Sequence, residues 1–154
     1  MRLPTIKLFN RSSIQDEPLL DLLGRAASAA NASGPIVCLV ERGAYRARGE
    51  ANSSREVSAK KLKARGPYRR SSYATNAGWV TLWPGTKLHR PVADVLAELY
   101  ETALHEFAHV ADFQAGLPFT DYHLAWVNRP HEIRANRAVA KIMARRRVKC
   151  ESAS

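Results

Sequence analysis

Residues 91–115 hold a helical repeat until Gly116, Leu117 and Pro118 stop it, in the usual order of a glycine just past a helix and a proline beyond. Inside the repeat lies HEFAH, His105 to His109. At about 100° per residue, side chains four apart differ by roughly 40° of azimuth, so both imidazoles project from one side on successive turns. On the helical wheel Leu96, Leu99, Ala103, Leu104, Phe107, Val110 and Ala111 form a broad apolar side, while Glu98, Glu101, His105, His109 and Asp112 share the other. Both imidazoles can reach one ion, so a fold that uses them must bring a third donor to this face.

Glu106 falls on the flank between the two faces. From there a carboxylate reaches a water on the ion without being a ligand. Zinc lowers the pKa of its water toward ~7, and the carboxylate takes the proton as water attacks a peptide carbonyl, then returns it to the leaving amine. The same five letters also fit an exposed amphipathic helix with solvated histidines, and the third donor distinguishes the two.

A glycine and a third histidine would follow at positions 112 and 115 in a metzincin; Asp112 and Ala115 stand there and exclude that class. Only Cys38 and Cys150 are present, so a metal must use His, Asp or Glu. The candidates are Asp121, His123, His131 and Glu132. A final helix is expected over 130–148, with Pro130 at its first position. Its buried side carries Ala135, Val139, Ile142 and Met143, with Arg134, Arg137, Lys141 and Arg145 opposite; Glu132 and Asn136 fall on the buried side. An inward carboxylate is costly unless paired or metal-bound, and an amide one turn on can hydrogen-bond a ligand. Glu132 equally suits a capping box and the helix dipole. His131 points to a different side of that helix, and Asp121 is a fallback ligand. In the loop 118–129, Tyr122 and His123 are candidates to hydrogen-bond a developing oxyanion. Asp112, on the histidine face, is a candidate to support the ligands.

Upstream, 3–9 alternates like a short strand and 16–30 reads as a helix, with Asp16 as cap and Leu19, Leu20, Leu22 and Leu23 on its buried side. A strand pair is expected next, PIVCLV at 35–40 and YRARGEA at 45–51, turning at Glu41, Arg42 and Gly43. A basic surface loop follows near 52–76, and GWVTLW at 78–83 is another strand, closed by Pro84 and Gly85. The order strand, helix, strands, helix, helix makes an α+β fold. With 154 residues, 45% of them hydrophobic, one domain over 1–154 is expected.

HEFAH followed by a helical Glu132-Ile133-Arg134-Ala135-Asn136 resembles the gluzincin branch of zinc metallopeptidases, and the E-x-x-A-N spelling is similar to small ImmA/IrrE-type metallopeptidases. The resemblance covers roughly the last third of the chain. It implies that His105, His109 and Glu132 bind zinc, that Glu106 is general base and acid, and that Asn136 supports the ligands. It also implies a zincin-like fold, a small mixed sheet packed on the active-site helix, followed by a second helix carrying the third ligand. The last strand before the active helix, 78–83, is then expected to border the cleft and pair with an extended peptide. Two departures stand out: Ala138 replaces the phenylalanine usual in the ImmA/IrrE pattern, and no DNA-binding helix-turn-helix is evident.

The net charge of +10 favours acidic partners, through an interaction that salt weakens. Lys60, Lys61, Lys63, Arg65, Arg69 and Arg70, with Tyr68 and Tyr73 and a basic tail near 144–154, give a competing expectation: a nucleic-acid-binding module with a non-catalytic or structural metal site. No apolar run approaches the roughly 20 residues of a membrane span, and MRLPTIKLFNRSS lacks the features of a signal peptide, so the expected location is the cytoplasm and no membrane partner is expected.

Overall fold

A strand that is apolar along its whole length must be covered on both faces, and PIVCLV accordingly takes an interior position in the sheet. The computed structural model describes residues 3–42, 49–52, 78–85, 90–117 and 120–153. Its elements are β1 (Thr5–Asn10), α1 (Asp16–Ala29), β2 (Pro35–Val40), β3 (Gly49–Asn52), β4 (Gly78–Leu82), α2 (Val92–Gln114), a 3-10 turn at Trp126–Asn128 and α3 (Pro130–Ser152). The sheet order is β1-β2-β4-β3, with β1, β2 and β4 parallel and β3 antiparallel to β4 at the edge. The chain is thus a small α+β fold.

Two expectations about the strands are corrected. The strand expected at 45–51 was to pair with 35–40, but β3 pairs with β4 instead. The reason is that β1 and β4 occupy both edges of β2, with Ile36 opposite Ile6 on one side and Gly78 on the other. For the same reason β4 cannot border a cleft: it lies between β2 and β3 and every one of its residues is buried. On that side of the sheet the edge belongs to β3, as the other does to β1. The expected basic loop, with Lys60, Lys61, Lys63, Arg65, Arg69, Arg70, Tyr68 and Tyr73, lies outside the described residues, as do 43–48 and Pro118.

Alternation along β2 divides the core. Ile36, Cys38 and Val40 join Val80 and Leu82 of β4 against Leu19, Leu23 and Ala26 of α1 and Leu104, Phe107 and Val110 of α2. Val37 and Leu39 face the other way with Trp79, whose indole Nε1 donates to Thr81 Oγ1 at 3.0 Å. Burial pushes the Cys38 thiol far above its ordinary value, which keeps it protonated and inert. On α1 the buried stripe is Leu19, Leu22, Leu23, Ala26 and Ala27; Leu20 lies off that stripe and is exposed, contrary to expectation. Asp16 is not the cap either, because Gln15 holds that position while Asp16 accepts a hydrogen bond from Asn10 Nδ2.

α2 packs on α1, on β3 and β4, and on α3. Its end is fixed by a Schellman motif: Gly116, at φ +76°, donates to Phe113 O, and Leu117 donates to Asp112 O. Gln114 ties this end to Ser33 through hydrogen bonds in both directions. α3 continues to Ser152, so the expected basic tail is helical over most of its length. Among the described residues, no helix is long and apolar enough to cross a membrane.

Candidate metal centre

Two helices build the site. His105 and His109 leave α2 one turn apart, as their spacing requires, and α3 starts beside them at Pro130, whose fixed φ suits a first helical position. The chain enters α3 through Arg129, whose guanidinium donates to Leu124 O at 3.2 Å and Tyr122 O at 3.1 Å. The same group lies over the rings of Tyr122 and Trp126. One cation therefore braces the connecting loop and sets where the first turn of α3 lands.

That turn delivers Glu132 between the imidazoles. His105 Nε2 lies 3.0 Å from Glu132 Oε2, His109 Nε2 3.3 Å from Oε1, and the two Nε2 atoms 3.1 Å from each other. The three donors fall within 4.8 Å of one another and could hold a metal ion. Donors held at the ~2.0–2.1 Å typical of zinc, at tetrahedral angles, lie roughly 3.3 Å apart. The observed triangle has nearly that size. Both oxygens of Glu132 face imidazoles, and the Arg129 amide at the helix start donates to Trp126 O, so the capping-box alternative is not what holds this carboxylate.

The electrostatics of the three groups are coupled. Burial opposes ionisation of Glu132, but hydrogen bonds from His105 and His109 outweigh it and hold the carboxyl well below the usual carboxylate range. Burial alone would lower His105, yet its hydrogen bond to Glu132, the charges of Glu106 and Glu132 and a hydrogen bond with Asn136 raise it above the ordinary imidazole value. A metal ion on His105 would have to displace the proton that these neighbours favour there. Asn136 touches His105 from an exposed position, not from the buried side of the helix expected for it, because the buried stripe of the helix runs through Glu132, Ala135 and Val139.

Other residues sit differently from expectation. His109, on the face opposite the main apolar stripe, is nevertheless buried, because α3 covers that side of α2. His131, one residue before Glu132, is buried too, with Nε2 3.7 Å from Glu132 Oε1 and its ring 5.8 Å from that of His109. Its burial is the main influence lowering its pKa. Helical phase places it on a different side from Glu132, and only the packing of the first turn against α2 brings it to the flank of the centre. Tyr122 is exposed and reaches that flank through His131, at 6.1 Å between rings. His123 and Asp121 are exposed and outside the donor group. Asp112 takes no histidine: its Oδ2 accepts from Arg134 Nε at 2.8 Å.

Glu106 is buried beneath β3. A Cβ at Gly49 would stand 2.7 Å from both Glu106 Cγ and Oε1 and 2.9 Å from Thr102 Cγ2, so the edge strand passes the carboxylate at a distance only glycine allows. Sequence reasoning missed this glycine, although a glycine inside a strand is itself a sign of close approach. Gly49→Ala is expected to destabilise the fold by about 1–3 kcal/mol through overpacking and to displace Glu106, while any metal held by His105, His109 and Glu132 is retained. Thermal melting with metal analysis checks this, and an unchanged melting point would show the strand free to withdraw.

Compared with known proteins, the chain matches no family model, no curated protein and no solved structure.

Proposed function

We propose that this chain is a zinc-dependent metallopeptidase of zincin-like fold, with His105, His109 and Glu132 as ligands and Glu106 as general base and acid. The observation that carries the reading is the convergence of two imidazole nitrogens and one buried carboxylate from two helices, one residue away from a second buried carboxylate. Two histidines and a glutamate are a known catalytic zinc set, which leaves one position open, whereas calcium and magnesium favour oxygen donors. His105, whose side chain is 21% exposed, gives the centre an opening to solvent.

Zinc in this site would supply a Lewis acid that polarises a peptide carbonyl and makes water a nucleophile near neutral pH. Glu106 takes the proton as water attacks and delivers it to the departing amine nitrogen as the C–N bond breaks. Glu132, kept ionised by its partners, offsets the cation's charge, and Asn136 holds the His105 ring. The edge strand β3 has only β4 as a partner among the described residues, and Gly49 puts that edge against the base. An extended substrate backbone adds to it as a further strand, the role the sequence assigns to 78–83. The basic residues Arg137, Lys141, Arg145 and Lys149 along the exposed side of α3 suit an acidic partner, protein or nucleic acid.

Zinc-loaded protein is expected to cleave an unstructured protein substrate, to stop when a chelator removes the metal, and to recover with added zinc. Cleavage that continues undiminished in the metal-free protein would refute the reading.

A further inference from the structure

We propose that Asp112 and Arg134 are positioning residues that set the register of α3 on α2, and so deliver Glu132 to the two histidines; this rests on the metal-centre reading. Asp112 follows His109 by three residues on α2, and Arg134 follows Glu132 by two on α3. Their contact, Arg134 Nε to Asp112 Oδ2 at 2.8 Å, therefore joins the two helices within about one turn of the ligands on each.

Stability alone does not account for the pair. Asp112 lies in the last turn of α2, where the helix dipole disfavours an anion, and Arg134 lies just past the first turn of α3, where it disfavours a cation. Each charge opposes its own helix, and exchanging them would suit both. The guanidinium also places Nη2 in a buried position with no hydrogen-bond partner among the described residues, a desolvation loss that one hydrogen bond only partly offsets. Local energetics thus argues against both residues where they stand. What the pair provides is direction: a guanidinium Nε–H on one carboxylate oxygen fixes distance and angle between the helices. Slippage of α3 by one residue would turn Glu132 about 100° away from the imidazoles.

The test compares wild type, Asp112→Ala, Arg134→Ala, Arg134→Lys and the exchanged double variant Asp112→Arg/Arg134→Asp. Zinc affinity is read by competition with a chelating dye, and melting of the metal-free protein is read in parallel. Single alanine variants are expected to bind zinc roughly 10–100-fold more weakly, the range for residues that orient ligands. Their metal-free melting points should stay within about 4 °C of wild type. Arg134→Lys, which keeps the charge without the planar geometry, is expected to fall with the alanine variants. The exchanged pair is expected to recover affinity to within about threefold of wild type, because it restores the link between helices. Unchanged affinity in both alanine variants overturns the inference while leaving the metal centre intact. So does a loss of affinity that merely tracks a loss of metal-free stability. A wild type that binds no zinc removes the metal-centre reading, and this inference with it.

Discussion

Glu106→Gln is expected to retain one zinc per chain and to lose hydrolysis by about two to four orders of magnitude, the range a positioned general base contributes. Glutamine keeps the size and most of the packing of the buried glutamate beneath Gly49, so the fold should survive the change. It cannot accept a proton at neutral pH. The three donor atoms are contributed by His105, His109 and Glu132, none of which is altered. Metal content and activity should therefore separate. Loss of both together would mean that Glu106 holds the site's structure, and full activity would remove it from the chemistry.

Glu132→Ala is expected to have the opposite signature. It deletes the carboxylate that both imidazoles face, at 3.0 and 3.3 Å, and leaves two ligands on one helix. Zinc affinity should drop by more than the ~10–100-fold that follows changes to outer, orienting residues. Metal-free protein should lose stability as well, since His105 and His109 are deprived of their buried acceptor. The measurement is a zinc titration with metal-free melting alongside. Retention of wild-type zinc affinity would require another donor. His131, buried 3.7 Å from Glu132 Oε1, is then the nearest candidate, ahead of the exposed Asp121 and His123.

Periodicity made much of this arrangement readable. A four-residue spacing fixes the direction of two histidines on a helix, and the inward phase of Glu132 on α3 marks a residue that needs polar partners, whereas Asn136, of similar phase, ends up exposed. Gly116 and Pro130 mark helix ends through backbone constraints that act locally, and both ends fall within one residue of expectation. What resisted reading depends on contacts between distant segments. An apolar run such as PIVCLV declares burial on both faces but not its neighbours, so the strand order, and with it the edge position of β3, could not follow from pattern. His131 has the wrong phase for the centre by helical wheel alone, and its burial arises from how the first turn of α3 meets α2. Asp112 shows the same limit: it lies on the histidine face, yet the cation from α3 claims it.

The most direct measurement is crystallographic: crystals grown with zinc, with anomalous scattering recorded on both sides of the zinc absorption edge. One strong anomalous peak is expected about 2.0–2.1 Å from His105 Nε2, His109 Nε2 and a carboxylate oxygen of Glu132. A centre with no peak, or an ion bound elsewhere while Glu132 stays on the imidazoles, would contradict the metal-centre reading.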